Sequence, residues 1–258
     1  MQAHSSCAAV VLAAGKGTRM NRPEPKVLVS LCGKPMIHFV LETLAELGVG
    51  RTVVVVGYRA QEVQQALRGW PQLEFALQQP QLGTGHAVAV CRPLLEKHSG
   101  PILVLTGDSP LVQADSLAQL LQAQQEHQAA CVLGTAIKED PTGFGRIVRN
   151  SQGEFEAIVE QRDATPEELK IREVNLSCYV FHPQLLWKAL EHIRPENRQG
   201  EYYLTDCPGL LKRWGHRVLA LPVHKPVESI SINTPQELQA AEAALALRSS
   251  CSSDAKSP

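Results

Sequence analysis

The sequence predicts an α/β fold with a mixed, mostly parallel sheet and helices on both faces. Residues 8–14 (AAVVLAA) are small or apolar throughout, which is typical of a strand covered on both sides. The first half then alternates strand patterns with helix patterns, as in the βαβ units of a parallel sheet. From residue 129 onward strand patterns follow one another closely and are separated by turn residues, so the second half is expected to be rich in hairpins.

The elements of the first half can be assigned in order. Apolar residues at positions 36, 37, 40, 41, 44 and 47 have the spacing of an amphipathic helix, and Gly48 is expected to end it. Residues 51–58 (RTVVVVGY) predict a second covered strand. A short helix at about 60–67, a strand over LEFALQ (73–78), a helix after Thr84 and a strand over PILVLTGD (101–108) continue the alternation.

The second half predicts four closely spaced strands and two further helices. The strand patterns are AACVLGTAI (129–137), GRIVRN (145–150), FEAIVEQ (155–161) and REVNLSCYVF (172–181). Helices are expected over residues 183–193 and after Asn233, where Thr234, Pro235 and Glu237 supply an N-cap, a proline at the first helical position and a capping-box partner. We expect one domain over residues 1–247, with halves of about 1–128 and 129–247, and a disordered polar tail over 248–258.

Composition excludes several classes of partner. The 258 residues include 25 Lys and Arg against 26 Asp and Glu, a formal net charge of -1, so neither nucleic acid nor an anionic membrane is an expected partner. The seven cysteines form no CxxC pair and are expected to be free thiols of a reducing compartment. No signal peptide or apolar run of membrane-spanning length is present, so a cytoplasmic location is predicted.

The loop that follows the first strand has the residues of a phosphate site. Gly15 and Gly17 allow backbone N–H groups to approach phosphate oxygens at the carboxyl edge of a parallel sheet, where ligands bind in α/β folds. Arg19 and Lys26 add positive charge. The loop matches neither GxGxxG, since position 20 is methionine, nor a P-loop. A solvated basic turn is the alternative interpretation.

A lone acid ends the strand 101–108. Asp108 in TGDSPL would be costly to bury unless it is hydrated, paired or bound to a metal. Mg²⁺ commonly takes one or two protein oxygens and completes its shell with phosphate and water, which suits a single aspartate. The alternative is that Asp108 caps the helix that follows.

A second glycine turn lies in LQQPQLGTGHA (77–87). Gln78 and Gln81 precede Gly83 and Thr84, and amide side chains with glycine backbone can hydrogen-bond the edge of a pyrimidine base without any charge. A polar loop with a helix beginning at Thr84 explains the same residues. His86 has no ligand partner at i+4 and is interpreted as structural.

Taken in order, these motifs resemble one known family. The sequence over residues 7–240 is similar to the pyrophosphorylase domain of the bacterial bifunctional N-acetylglucosamine-1-phosphate uridylyltransferases. The motifs that carry the similarity are, in order, LAAGKGTRM, PKVL, QLGTGHA, GDSPL, DPTGFGRI, IVEQRDAT, EVN, QGEYYLTD and SIN. The resemblance implies a Rossmann-like nucleotide-diphospho-sugar transferase fold, with a nucleotide-binding half followed by a sugar-binding half. It also implies that UTP and N-acetylglucosamine 1-phosphate are converted to UDP-N-acetylglucosamine and pyrophosphate, with Mg²⁺ as cofactor.

The resemblance also implies roles for individual residues. The nucleotide-binding positions are Leu12, Ala13, Ala14, Gly15, Lys26, Gln78, Gln81, Gly83 and Thr84. The catalytic positions are Arg19, Lys26 and Asp108, and the Mg²⁺ ligands are Asp108 and Asn233. The sugar-binding positions are Gly107, Gly145, Glu160 and Asn175. These roles are consistent with phosphoryl transfer, which depends on positioning and charge neutralisation more than on covalent chemistry.

The sequence departs from the family pattern in several places. Leu176 and Ser177 follow Asn175 where a Thr-Gly or similarly small pair is usual. If strand residues alternate and Asn175 faces the site, Leu176 should point away and Ser177 should line the pocket. Thr106 replaces an aromatic residue before the GD pair, and Ser109 replaces an aliphatic residue after it. The bifunctional enzymes continue into a β-helix of hexapeptide repeats, which this sequence lacks, so neither acetyl transfer nor their trimerisation is expected.

Two other functions remain open from sequence. One is a nucleotidyltransferase with a different nucleotide or acceptor, such as a molybdopterin guanylyltransferase or a cytidylyltransferase. The other is a non-catalytic sensor of nucleotide sugars. The QLGTGHA and QGEYYLTD motifs disfavour the first, and the joint presence of both cations and both proposed metal ligands disfavours the second. The expected partners are UTP and a sugar 1-phosphate. The sequence gives no indication of the oligomeric state.

Overall fold

The computed structural model describes residues 4–20 and 22–254, with side chains described through residue 247. The strands are β1 Ala8–Ala13, β2 Ser30–Leu31, β3 Lys34–Pro35, β4 Arg51–Val56, β5 Leu73–Leu77, β6 Ile102–Thr106, β7 Cys131–Ile137, β8 Arg146–Arg149, β9 Phe155–Val159, β10 Glu173–Phe181 and β11 Val218–Leu221. The α-helices are α1 Met36–Leu47, α2 Ala60–Ala66, α3 Thr84–Ala89, α4 Arg92–Leu95, α5 Ala114–His127, α6 Pro183–Leu190, α7 Asp206–Arg213 and α8 Pro235–Asp254.

A single mixed sheet joins the two predicted halves of the chain. Its strand order is β11-β7-β10-β6-β1-β4-β5, and β8 and β9 extend it through β10. Strands β6, β1, β4 and β5 are mutually parallel, whereas β10 is antiparallel to both β6 and β7, and β8 and β9 form a hairpin. The predicted α/β fold with a parallel first half and a hairpin-rich second half is therefore confirmed.

Helices cover both faces of the sheet, as the uniformly apolar strands predict. Successive residues of β1 point to opposite faces, so Val10 and Val11 are both fully buried but belong to different cores. The first core also receives residues of α3, α6 and α7, and the second receives residues of α1, α2 and α5. Helix α1 ends at Gly48, which is left-handed with φ of 73°, as the sequence predicts.

The parallel strands bring two predicted site segments to the same edge. Strands β1 and β6 pair in a register that places Leu12 opposite Thr106. Just beyond this pair, the Gly107 N–H donates to the Leu12 carbonyl at 2.9 Å. The glycine loop after β1 and the segment carrying Asp108 after β6 therefore begin side by side.

The C-terminal helix attaches the Asn233 segment to the first loop. The Glu237 N–H donates to Thr234 Oγ1 at 3.2 Å, which is the N-cap bond predicted for Thr234. The Glu237 carboxylate accepts from the Asn233 N–H at 2.7 Å, one residue before the N–H that a capping box would use. A third apolar cluster packs residues of this helix and of the preceding segment against residues 20–36; its members include Met20, Leu31, Met36, Ile232, Leu238 and Ala241.

The disordered tail expected over residues 248–258 stays a prediction, although the last helix extends into this range. Helix α8 continues to Asp254, because residues 240–247 (AAEAALAL) have high helix propensity and no helix breaker intervenes before the serines. Residues 255–258 lie outside the described residues.

Six cysteines have described side chains, and none of the six forms a disulfide. Cys7, Cys32, Cys91, Cys131, Cys178 and Cys207 are free thiols, and all except Cys32 are buried. Within residues 4–20 and 22–254, no helix combines the length and the apolar character needed to cross a membrane.

Candidate active site

The glycine loop shapes the first side of the site. Gly17 is left-handed with φ of +67°, and a Cβ there would lie 2.5 Å from Lys26 Cβ, so only glycine fits without moving Lys26. Residues Thr18–Met20 form one short 3-10 turn that presents Arg19. A second such turn, Lys26–Leu28, begins after Pro25 and presents Lys26. Both predicted cations are thus carried by short turns rather than by extended loop.

Three distant chain segments meet at the Lys26 ammonium group. Lys26 Nζ contacts Asp108 Oδ2 and donates to Asn233 Oδ1 at 2.7 Å. Arg19 Nη2 donates to the same Asn233 oxygen at 2.9 Å. The Lys26 and Asp108 side chains are only 11% and 20% exposed, so this ion pair is partly shielded from water. The structure therefore brings together the four residues to which the resemblance assigned catalysis and metal binding.

The alternative role for Asp108 as a helix cap is wrong. Helix α5 begins at Ala114, and Gln113 occupies its N-cap position. The Asp108 backbone carbonyl instead accepts from the Ile232 N–H at 3.0 Å, which ties the Asp108 segment to the Asn233 segment.

The oxygen atoms at this point fit a hard divalent cation. Asp108 Oδ2 and Asn233 Oδ1 converge on one cation, the Lys26 ammonium, so both oxygens reach a common centre. In the part of the chain that the structure describes, no three His, Cys, Asp or Glu side chains gather as a metal cage. A carboxylate and an amide oxygen, with other positions left to phosphate and water, are the donor set that suits Mg²⁺.

Two adjoining cavities share this charged centre. A cavity of about 260 Å³ is lined by the glycine loop, including Gly15, Gly17 and Thr18. A larger cavity of about 360 Å³ is lined mainly by residues of the second half of the chain, together with first-half residues that include Thr84, Thr106 and Ser109. Arg19, Asp108 and Asn233 line both. A ligand that extends from one cavity to the other would pass the two cations and the two candidate metal ligands.

The larger cavity contains predicted sugar-binding residues. Gly145, Glu160 and Asn175 all line it. Glu160 Oε1 accepts from Thr205 Oγ1 at 3.1 Å. Burial raises the pKa of Glu160, and the Thr205 hydrogen bond only partly opposes the shift. Glu160 therefore lines a polar cavity as a largely desolvated carboxyl group that can accept further hydrogen bonds.

The prediction that Leu176 does not line the pocket is wrong. Asn175, Leu176 and Ser177 all line the larger cavity, although strict alternation would turn Leu176 away. Asn175 of β10 pairs with Thr135 of β7, and the next paired residues are Tyr179 and Leu133. Four residues of β10 therefore span the same distance as two residues of β7, so β10 bulges between 175 and 179. Ser177 is left-handed with φ of 55°, and its N–H donates to Asn175 Oδ1 at 3.2 Å. The bulge adds an apolar wall to the cavity.

The second glycine turn is held by its own glutamines. Gln78 is 4% exposed, and its amide donates to the Gly83 carbonyl at 2.9 Å and lies 3.2 Å from His86 Nδ1. Gln81 donates to the Ala14 carbonyl at 3.1 Å, which fastens this turn to the glycine loop. The structure thus gives both amide nitrogens a role in shaping the loops, and it gives His86 the structural role that the sequence predicts.

Several other predicted contact residues are buried or already form hydrogen bonds within the protein. Ala13 and Ala14 are buried, and the Ala14 carbonyl also accepts from the Tyr58 N–H at 3.0 Å. Gly107 is buried with its N–H bonded to Leu12. Thr84 lines the larger cavity, but its hydroxyl accepts from the Leu204 N–H at 2.9 Å. Gly15 is the member of the Leu12–Gly15 group that lines the smaller cavity.

A buried arginine, for which the sequence predicts no role, supports the cavity wall at residues 142–145. Arg146 is 2% exposed, and its guanidinium contacts the Phe144 carbonyl and donates to Gln161 Oε1 at 2.8 Å. The same Gln161 oxygen accepts from the Gly143 N–H at 3.1 Å. Both residues stand inside quoted motifs, DPTGFGRI and IVEQRDAT, but their spacing in the sequence gives no sign that they meet.

Known proteins resemble most of this chain in sequence. Residues 9–202 match the model of the family described as the MobA-like NTP transferase domain. The chain is 44% identical over 235 residues to the bifunctional protein GlmU of Pelotomaculum thermopropionicum, and the match covers 91% of this chain and 51% of that protein. It is 45% identical over 235 residues to the protein of the same name from Brevibacillus brevis, covering 91% and 50%. The chain thus spans about half the length of the curated relatives it matches.

A solved structure shares the fold. A UDP-glucose pyrophosphorylase crystallised with UDP-glucose aligns with a TM-score of 0.74 at 18% identity, covering 93% of this chain and 98% of that one. At this identity the match shows the fold alone, and it confirms the predicted α/β fold with its mixed, mostly parallel sheet.

Proposed function

The chain belongs to the family of MobA-like NTP transferase domains, and from that premise we propose that it transfers a uridylyl group from UTP to N-acetylglucosamine 1-phosphate, releasing pyrophosphate. The observation that carries the proposal is the meeting of Arg19, Lys26, Asp108 and Asn233 at the border of the two cavities. A nucleotide held in one cavity and a sugar phosphate held in the other would place their phosphates at this border.

The reaction requires an in-line displacement at the α-phosphorus of the nucleotide. An oxygen of the sugar phosphate forms a bond to that phosphorus, the bond to the bridging oxygen of the β-phosphate breaks, and pyrophosphate leaves with the electron pair. The bond exchange leaves the uridylyl group on the sugar phosphate. This displacement needs no nucleophilic side chain, so the protein contributes positioning and charge.

The positive groups at the border have distinct roles in this proposal. Lys26 lies between Asp108 and Asn233 and so stands where the two phosphates approach each other. Arg19 is carried by the neighbouring turn and offers a forked guanidinium to phosphate oxygens. When bound by Asp108 and Asn233, Mg²⁺ supplies Lewis-acid stabilisation of phosphate charge. Gly15 and Gly17 line the smaller cavity, where their backbone N–H groups would suit the remaining phosphates of the nucleotide.

The larger cavity suits a sugar with several hydroxyl groups. Glu160 provides a carboxylate acceptor there, and the Asn175 amide is fixed by a 2.6 Å bond to Tyr179 Oη. Leu176 adds an apolar surface next to these polar groups, which fits the methyl of an N-acetyl substituent. The combination of polar acceptors and one apolar wall supports an N-acetylhexosamine 1-phosphate as acceptor.

The similarity to the GlmU proteins supports uridylyl transfer among the functions that the family allows. The family description itself names no particular nucleotide. The relatives at 44% and 45% identity match across 91% of this chain, in agreement with the resemblance carried by the sequence motifs. A guanylyl or cytidylyl transferase and a non-catalytic sensor remain as outcomes of the test.

We expect UTP to be the preferred nucleotide. The measurement is pyrophosphate release from each of UTP, CTP, GTP and ATP with N-acetylglucosamine 1-phosphate and MgCl₂. A site that hydrogen-bonds one base edge leaves buried polar groups unpaired when the base is wrong, so discrimination on the order of 100-fold or more is expected. Equal or higher activity with another nucleotide would replace the proposal by the corresponding transferase, and binding without turnover of any nucleotide would favour a sensor.

We expect N-acetylglucosamine 1-phosphate to be turned over, with some tolerance for its galactose epimer. Leu176→Ala is expected to raise the KM for N-acetylated acceptors while changing the KM for glucose 1-phosphate less, because it removes the apolar wall that meets the acetyl group. Exposed Leu247, on α8, gives a matched Leu→Ala control. Product formation from glucose 1-phosphate alone, with none from either N-acetylated sugar, would contradict the acceptor assignment.

A further inference from the structure

A buried carboxylate belongs to Glu228, a residue in the wall of the larger cavity, and has no role in the proposed reaction. Glu228 belongs to the short 3-10 turn Pro226–Ser229, and its side chain is 0% exposed. Its two oxygens accept four hydrogen bonds: Oε1 from Ser116 Oγ at 2.8 Å and the Lys225 N–H at 2.9 Å, and Oε2 from the Gln113 N–H at 3.0 Å and His224 Nδ1 at 2.9 Å. The carboxylate is thus fully enclosed by donors.

This environment requires the ionised acid. Burial alone would raise the pKa of Glu228, but the bonds from His224, from the Lys225 N–H and from Ser116 outweigh it and hold the pKa below its usual range. An ionised carboxylate only accepts, so His224 Nδ1 carries the hydrogen of that bond. The His224 ring is itself confined, because a Cβ at Gly134 would lie 2.1 Å from His224 Nε2.

The four donors come from the two segments that carry the candidate metal ligands. Gln113 and Ser116 follow Asp108 along the chain and begin helix α5. His224 and Lys225 belong to the segment that continues through Glu228 to Asn233. The two segments are joined again at the site, where the Ile232 N–H donates to the Asp108 carbonyl. Through its bonds from Gln113 and Ser116, the buried Glu228 carboxylate therefore connects the two segments.

We propose that Glu228 is a positioning residue, which fixes the separation of Asp108 and Asn233 and thereby sets the affinity of the site for Mg²⁺. The effect expected on the Mg²⁺ dependence of the rate rests on the proposed function, whereas the effect expected on metal binding does not. Glu228 is among the residues that line the larger cavity, but its carboxylate is 0% exposed and so is not available to a ligand there. It acts through the backbone of the two segments. Outer partners of metal ligands commonly change metal affinity by about 10- to 100-fold when they are altered.

The test is the variant Glu228→Gln. Glutamine has the same shape but turns one acceptor oxygen into an N–H₂ group that meets donors, so the two segments must separate. We expect the Mg²⁺ concentration for half-maximal rate to rise about 10-fold. We expect the rate at saturating Mg²⁺ to remain close to that of the parent protein. Mn²⁺ binding, measured by electron paramagnetic resonance with and without UTP, should weaken by a similar factor.

Two further variants separate positioning from general destabilisation. Glu173→Gln alters another largely buried carboxylate, which accepts from Arg149 and Thr135, and it is expected to lower the melting temperature without changing Mn²⁺ affinity. Ser116→Ala removes one of the four donors to Glu228 and is expected to weaken Mn²⁺ binding by less than Glu228→Gln. Ser116→Ala also carries the test if Glu228→Gln does not fold.

The outcomes are distinguishable from those of the proposed function. Unchanged Mn²⁺ affinity in folded Glu228→Gln, or a loss of rate that saturating Mg²⁺ does not restore, would overturn the positioning role. Equal weakening in Glu173→Gln would overturn it as well. If the parent protein releases no pyrophosphate with any nucleotide, the proposed function fails, and weaker Mn²⁺ binding in Glu228→Gln would still support the positioning role.

Discussion

Replacing Asp108 with asparagine is expected to lower turnover by about 100-fold or more while the fold is kept. Asp108 supplies the anionic oxygen of the pair that converges on the Lys26 ammonium. An amide in its place offers a neutral oxygen and adds an N–H₂ group beside a cation, so metal binding next to the phosphates is weakened. The side chain is partly exposed and its backbone bond to Ile232 is unaffected, so little loss of stability is expected.

The measurement is the rate of pyrophosphate release at several Mg²⁺ concentrations, together with Mn²⁺ binding and thermal melting. A matched control is Asp115→Asn, which alters an exposed aspartate paired with Lys225 at 2.7 Å. The control is expected to keep its rate and its Mn²⁺ affinity. Near-normal turnover of Asp108→Asn in Mg²⁺ would mean that the metal site lies elsewhere.

The arrangement of the first half could be predicted from sequence because its signals are local. A uniformly apolar run predicts a covered strand wherever it stands, and parallel strands place their following loops at one edge. The sequence therefore predicts that the glycine loop and Asp108 lie at that edge, and the pairing of Leu12 with Thr106 places them there. The meeting of Lys26 with Asn233 could be inferred only from the resemblance, since 207 positions separate them and no local pattern links the two.

The details of the larger cavity could not be predicted, because they depend on contacts between strands. Alternation along β10 assumes regular pairing, but the pairing with β7 shifts between Asn175 and Tyr179. Nothing in the residues NLS alone encodes a bulge, and serine is not a usual residue at a left-handed position. Gln78 likewise has the chemistry of a base reader in sequence, yet in the fold its amide nitrogen bonds its own loop.

Lys26→Ala is expected to reduce turnover by about 100-fold while UTP affinity falls much less. The ammonium lies at the border of the cavities, where negative charge on the phosphates increases in the transition state, so its loss should appear in kcat. The ammonium also competes with a metal for Asp108 and Asn233, to both of which it is bonded. Mn²⁺ affinity in the absence of nucleotide is therefore expected to be kept or increased, in contrast to Asp108→Asn.

The comparison between Lys26 and Asp108 separates charge stabilisation from metal binding. Single-turnover rates give the effect of Lys26→Ala on the chemical step, and calorimetry gives its effect on UTP binding. Arg19→Ala is expected to change both quantities in the same direction, because Arg19 donates to the same Asn233 oxygen. Lys225→Ala, at the exposed Asp115 pair, is the control for loss of a paired lysine. A rise confined to the KM for UTP would make Lys26 a ground-state binding residue. The sensor interpretation would then gain support, since a sensor needs affinity for the nucleotide without stabilisation of a transition state.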